Sequence, residues 1–132
     1  MPATPEAVSL AIAAAQAASD KLADDIVAID VSSQLVITDV FVLCSAQNDR
    51  QVKAVVDAVE EKLHGLGAKP LRREGEKENH WVLLDFGDIV VHVQLVDERI
   101  HYAIERLWKD CPLIELPAEV NAPHSAKSGA TS

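Results

Sequence analysis

The alternation of apolar and polar positions is most regular over residues 81–94, where two segments flank Gly87-Asp88. A glycine at the first central position favours a type II′ turn, so the pattern predicts a β-hairpin with a two-residue loop. Such a loop sets the register, and alternating side chains then divide between two faces. One face is wholly apolar and is predicted to enter the core: Val82, Leu84, Phe86, Ile89, Val91 and Val93.

The opposite face of the hairpin holds three cross-strand pairs: Trp81 with Gln94, Leu83 with His92, and Asp85 with Val90. This mixture is too polar for a core and too apolar for ordinary solvent exposure, so we predict a docking surface. Trp81 is the expected anchor, unless a helix of the same protomer covers it. His92 is either a contact or a supporting residue, and its ordinary pKa leads us to expect that it can titrate near neutral pH.

Three further segments have helical periodicity. The predicted helices are Pro5 to about Leu22 after the N-cap Thr4, residues 49–64 after Asn48, and Asp97, as cap, to about Lys109. Their predicted apolar stripes are Val8, Ile12 and Ala15 in the first; Val52, Val55, Val56, Val59 and Leu63 in the second; and Ile100, Ile104, Leu107 and Trp108 in the third.

Runs of β-branched residues predict strands over 26–31 and 40–44, the second of them central, and the basic segment 69–73 predicts a short edge strand. With the hairpin, the order α-β-β-α-β-β-β-α predicts a single-domain α/β sandwich with a mixed sheet of about five strands. We place this domain at residues 1–116. Residues 117–132, rich in Ala, Pro and Ser, are predicted to be a disordered tail.

Composition narrows the class of protein. Hydrophobic residues make up 48% of the chain, which indicates a globular domain, and no apolar run reaches the roughly 20 residues of a membrane span. The N-terminus lacks the pattern of a signal peptide, so we expect a cytoplasmic protein in which Cys44 and Cys111 are reduced.

The net charge of −9 disfavours phosphate backbones as partners. It favours a basic protein partner, although acidity also serves solubility alone. We therefore expect little direct binding to nucleic acid.

No group of residues has the spacing of a catalytic or cofactor site. The five histidines lack zinc-ligand spacing, and no glycine-rich loop precedes a helix. Asp24, Asp25, Asp30 and Asp39 suggest a carboxylate metal site, but they stand where aspartate is favoured for backbone reasons. We therefore predict no catalytic residue, no metal, no cofactor and no enzymatic activity.

Several segments between Leu10 and Trp108 resemble one known family. They are Lys21 to Val31, Thr38 to Leu43, Arg50-Gln51-Val52, Glu74-Gly75, Trp81 to His92, and the positions Arg99, Tyr102, Glu105, Leu107 and Trp108. The family is that of the ribosomal silencing factors, also called Iojap-like or RsfS proteins. The resemblance implies a nucleotidyltransferase-like fold without its catalytic motif.

The resemblance also implies a function. Members bind the large ribosomal subunit through universal large-subunit protein fourteen, block joining of the small subunit sterically and repress translation in nutrient limitation; many are homodimers. Two alternatives stay open: a metal-dependent nucleotide-processing enzyme on the same scaffold, and a self-associating scaffold that uses the hairpin face.

The predicted partner-binding residues are Trp81, Leu83, Asp85, His92, Asp39, Phe41, Glu74, Arg99 and Tyr102. Asp39 and Asp85 are expected to meet Lys or Arg on the partner; the alternatives are a turn cap for Asp39 and a solvated strand end for Asp85. Arg99 and Tyr102 belong to the docking rim or orient the third helix, and a residue such as Phe41 is more often part of the core than a contact. We expect Trp81→Ala to abolish binding to large subunits and to leave thermal unfolding nearly unchanged.

Overall fold

A mixed five-stranded sheet organises the computed structural model, which describes residues 2–122. The elements are α1 (Pro5–Asp20), β1 (Asp24–Asp30), β2 (Val40–Ala46), α2 (Asp49–Gly65), β3 (Arg72–Glu74), β4 (Trp81–Asp85), β5 (Ile89–Leu95), α3 (Val96–Tyr102) and α4 (Ile104–Leu107). The strands lie in the order β1-β2-β5-β4-β3, with β2 and β5 parallel and the other neighbours antiparallel. The predicted α/β class and mixed sheet are confirmed. No helix within residues 2–122 is both long and apolar enough to cross a membrane.

The hairpin of β4 and β5 forms in the predicted register. Trp81 pairs with Gln94 and Leu83 with His92, while Gly87 takes a positive φ of 89° in the turn. One face of the sheet, called here the inner face, packs on α1 and α2. Its six hairpin residues are all buried, as the alternation predicts: Val82, Leu84, Phe86, Ile89, Val91 and Val93.

Helix α2 also matches its prediction. The Asn48 side chain accepts a hydrogen bond from the Gln51 N–H at 2.8 Å, which satisfies one free donor of the first turn. All five predicted core residues of this helix are buried: Val52, Val55, Val56, Val59 and Leu63.

The predicted apolar stripe of α1 is wrong. Val8 and Ile12 are only half-buried, and Ala15 is the one predicted member that is fully covered. The deepest positions are instead the alanines Ala7, Ala11, Ala14, Ala15 and Ala18. Because alanine has a very small side chain, this surface lets α1 lie close to α2 and the sheet.

The third predicted helix is broken in two. Ala103 adopts a left-handed conformation with φ 45°, which ends α3 and starts α4. Asp97 lies inside α3 and makes no capping hydrogen bond, because the N-cap position is Leu95. As a result Ile100 and Leu107, both predicted to be apolar core positions, are 71% and 79% exposed.

Residues 111–122 run along the open side of β1. The Asp30 N–H donates to the Pro112 carbonyl at 2.8 Å, and both polar groups of the Asn121 side chain bind the backbone of Ile26. Val120 is fully buried. The predicted boundary at residue 116 and the disorder expected after it are therefore wrong for 117–122, because these residues pair with a strand edge. Residues 123–132 lie outside the described residues.

Candidate functional site

The outer face of the sheet, opposite α1 and α2, is covered over only part of its width. Helix α3 packs on β5 and β2. Toward the β3 edge, Trp81, Leu83 and Asp85 of β4 are half-buried, and Arg72 and Glu74 of β3 are exposed. We call this open area the β4 face and define it as these five residues together with Tyr102. It brings together five of the nine predicted binding residues: Trp81, Leu83, Asp85, Glu74 and Tyr102.

Trp81 is held in place by three neighbours. Its indole Nε1–H donates to Nδ1 of His92 at 3.2 Å, and its ring lies 4.7 Å from the ring of Tyr102. Gly75 approaches the Trp81 backbone so closely that a Cβ there would collide with the Trp81 carbonyl oxygen. The indole is thus neither sealed nor free: part of it packs within the protomer, and the remainder faces solvent.

These contacts correct the expected effect of Trp81→Ala on stability. The substitution removes an aromatic contact and a hydrogen bond inside the protomer, and it leaves Nδ1 of a buried histidine without its donor. A loss of stability is therefore expected beside any loss of binding. Leu83 is the cleaner probe, because it is half-buried on an open strand.

His92 and Phe41 lie beneath the cover of the outer face. His92 is 6% exposed, and its ring is 5.3 Å from that of Phe41, which in turn meets Trp108 at 5.2 Å. His92 is therefore covered and supports the open surface from below, while Phe41 is half-buried beside it. The sequence could not show this, since the cover comes from α3 and Trp108, and their positions depend on the break at Ala103.

The environment of His92 keeps its ring neutral. Burial, followed by the nearby charge of Arg99, lowers the pKa of His92 to about 4. Nδ1 accepts the Trp81 hydrogen bond, so the neutral ring carries its proton on Nε2. The expectation that His92 titrates near neutral pH is therefore wrong, because the buried ring lacks the water that would solvate its charged form.

Arg99 is buried as well and fastens α3 to the sheet. Its guanidinium donates to Ser45 Oγ at 3.1 Å and to the Glu105 carboxylate at 3.2 Å and 3.3 Å. It is 6% exposed. Arg99 was predicted either to belong to the docking rim or to orient the third helix. This geometry supports the second role, because the side chain points at β2 and α4 rather than at the open face.

Near Arg99, the covered part of the outer face holds polar side-chain atoms that have no hydrogen-bond partner. The side-chain oxygen and nitrogen of Gln94 and Nε2 of His92 are buried and make no hydrogen bond to any described residue. Gln94 is completely covered. Unpaired buried polar groups lower stability, so this covered region is less well adapted to folding than the inner face.

The acidic residues of the predicted site do not form one cluster. Asp85 accepts a hydrogen bond from the Gly87 N–H at 2.8 Å and lies 3.7 Å from Arg72, so it caps the turn while it faces solvent. Glu74 stands opposite Leu83 on the neighbouring strand. Asp39 is at the turn end of the sheet, where its carboxylate accepts the Thr4 N–H at 3.0 Å.

The exposed aliphatic residues that the sequence interpretation missed include Val36, Ile37 and Leu71. The signal for the first two was present, because two β-branched residues follow Leu35 just after a polar turn and belong to no predicted strand. Among residues 2–122, no three His, Cys, Asp or Glu side chains are grouped so that they could hold a metal ion.

Comparison with known proteins identifies the family of the chain. The family model described as "Ribosomal silencing factor during starvation" matches residues 4–132. The chain belongs to this family. It is 40% identical over 108 residues to the ribosomal silencing factor RsfS of Bacillus subtilis, a match that covers 82% of this chain and 92% of that protein.

Two solved crystal structures are similar to this chain. A crystal structure of a protein from Chromobacterium violaceum is similar with a TM-score of 0.74 and 35% identity, over 76% of this chain and 84% of that one. A second, from Bacillus halodurans, has a TM-score of 0.71 and 34% identity, over 86% and 100% of the two chains. Membership of the RsfS family indicates a ribosome-associated regulator rather than an enzyme.

Proposed function

We propose that this RsfS-family protein represses translation by binding the large ribosomal subunit through a basic ribosomal protein, universal large-subunit protein fourteen. Binding there places the bulk of the domain where the small subunit would join. The repression is steric, requires no catalysis and operates during nutrient limitation in the cytoplasm. The observation that carries the proposal is the β4 face, an open strand surface with an aromatic anchor and carboxylates.

The chemistry of the β4 face suits such a partner. Trp81 and Tyr102 offer a partly exposed aromatic pair, and Leu83 adds aliphatic surface beside it. Glu74 and Asp85 supply negative charge, which Arg72, 3.9 Å and 3.7 Å from them, offsets only in part. Aromatic residues at the centre of an interface contribute much of its binding energy, while charges around them orient the approach of the partner. His92, Arg99 and Phe41 position this surface and do not touch the partner.

A subunit-joining assay tests the proposal. Purified protein is added to separated large and small subunits, and light scattering follows their association. We expect the rate and extent of joining to fall in proportion to the large subunits occupied. Unchanged joining at saturating protein would contradict the steric mechanism, and turnover of labelled nucleotides that is lost on metal chelation would favour the enzyme alternative.

A charge-reversal pair tests the location of the surface. Glu74→Lys changes an exposed residue on the β4 face, and Asp57→Lys changes an exposed residue on α2, at the far side of the sheet. We expect Glu74→Lys to weaken binding about three- to tenfold, mainly through slower association at low salt. Asp57→Lys should bind like the unmodified protein. Equal effects would mean that only total charge matters.

A further inference from the structure

The loop between β1 and β2 exposes two adjacent aliphatic side chains. Val36 is 99% exposed and Ile37 is 83% exposed. Loop tips favour Gly, Pro, Asn, Asp and Ser, which form turns and tolerate water. Two neighbouring β-branched residues that are both largely exposed to water are characteristic of a surface that is covered by a partner.

The residues on both sides hold this tip away from the core. On one side Leu35 packs against the cluster that contains Val31, and its N–H donates to the Val31 carbonyl at 2.9 Å. On the other side Thr38 is 6% exposed, and the Val31 N–H donates to the Asp39 carbonyl at 2.9 Å. Because both flanks are fixed, Val36 and Ile37 cannot turn inward without breaking these contacts.

The tip adjoins the turn of the hairpin. The Asp39 N–H donates to the Asp88 carbonyl at 2.9 Å, which joins the loop to the turn. Leu71 is 76% exposed on the other side of the turn, and its Cδ1 lies 3.3 Å from the place where a Cβ of Gly87 would be. We call Val36, Ile37, Leu71, Asp39 and Asp88 the turn-end surface. It continues the β4 face, since the Leu71 N–H donates to the carbonyl of Asp85.

The charges around the turn-end surface are mainly negative. The carboxylates are those of Asp39, Asp85 and Asp88, and the nearest cation in an ion pair there is Arg72, 3.7 Å from Asp85. Aliphatic side chains beside carboxylates complement a segment that carries aliphatic residues among Lys and Arg. The same combination disfavours a phosphate backbone.

We infer that the turn-end surface is a second contact for the basic protein bound at the β4 face, which would engage this chain along β4 and around the hairpin turn. The occupant is a basic, aliphatic-bearing segment of that same large-subunit protein. This inference rests on the proposed function. It adds that Trp81 and its neighbours form only one part of the interface, and that the turn end supplies affinity of its own.

A double variant tests the inference. Val36→Ser with Ile37→Ser removes the exposed aliphatic groups, and Leu66→Ser is the matched control, because Leu66 is 56% exposed at the end of α2. Binding to purified large subunits is measured by pelleting and to the isolated basic protein by fluorescence titration. We expect the double variant to bind about ten- to a hundredfold more weakly in both assays. Its unfolding temperature should not fall, because neither side chain is buried.

The outcomes separate this inference from the proposed function. If the unmodified protein binds and the double variant binds equally well, the turn-end surface is no contact and the inference is overturned, while the proposed function stands. If the unmodified protein does not bind large subunits, the proposed function fails and the inference fails with it. If the double variant loses self-association in sedimentation velocity but keeps its affinity for large subunits, the occupant is a second copy and the inference is wrong.

Discussion

The two faces of the sheet are built from the same strands and have opposite characters. On the inner face, alternate residues of β4 and β5 are aliphatic or aromatic, and α1 and α2 bury all of them. On the outer face the intervening residues include Trp81, His92 and Gln94, two of which are buried with polar atoms that lack partners. The comparison teaches that the inner face supplies stability, while the outer face keeps side chains that lower stability, as expected if this face has the recognition role proposed above.

The sharpest test of this comparison uses two adjacent leucines. Leu84 is fully buried on the inner face, and Leu83 is half-buried on the outer face of the same strand. We expect Leu84→Ala to lower the free energy of unfolding by about 3 kcal/mol, since it leaves a cavity in a packed core. Leu83→Ala should cost less than about 1 kcal/mol. Urea unfolding measures both, and equal losses would remove the distinction between the faces.

The neutral state of His92 makes the outer face sensitive to acid. The pKa of His92 is about 4 in the folded protein and about 6.5 in an unfolded chain. As pH falls from 6.5 to 4, the unfolded state takes up the proton first, so stability decreases over this range and levels off below it. A shift of this size corresponds to about 3 kcal/mol. Denaturant unfolding at a series of pH values measures the slope.

His92→Asn is the control for that slope. Asparagine keeps an acceptor near Nδ1 for the Trp81 indole and removes the titrating ring. Because other groups titrate equally in both proteins, the difference between the two curves isolates His92. A variant that keeps the full acid dependence would show that carboxylates, not His92, cause it.

Much of the fold could be predicted from local pattern. The hairpin register followed from the two-residue turn, and the core positions of α2 followed from helical periodicity. The predictions that failed depend on contacts between residues that are distant in sequence. The break at Ala103 has no glycine to mark it, and the order of residues 117–122 comes from Val120 and Asn121 bonding across to α1 and β1.

The candidate site was predictable to a similar extent. The hairpin alternation identified Trp81, Leu83 and Asp85 as neighbours on one face, since that follows from register alone. Burial of His92 and Arg99 was not predictable, because it depends on where α3 comes to lie. Periodicity assigns a residue to a face, but it does not say what covers that face.

Replacing Gln94 is expected to raise the stability of the protein, by less than the losses predicted above for Leu84→Ala and for acid. Its amide is completely buried, and neither of its polar atoms has a partner among the described residues. We expect Gln94→Met, which conserves volume and removes the unpaired groups, to raise the free energy of unfolding by about 1–2 kcal/mol. Thermal and urea unfolding measure the gain. A loss of stability would show that the amide is satisfied in solution.

The central claim is that the open part of the outer face binds the large ribosomal subunit. The most direct measurement is the affinity of two leucine variants for purified large subunits: Leu83→Asp on the β4 face and Leu66→Asp at the end of α2, both confirmed as folded by circular dichroism. We predict at least about a tenfold loss of affinity for Leu83→Asp and none for Leu66→Asp. Unimpaired binding by a folded Leu83→Asp protein would contradict the account.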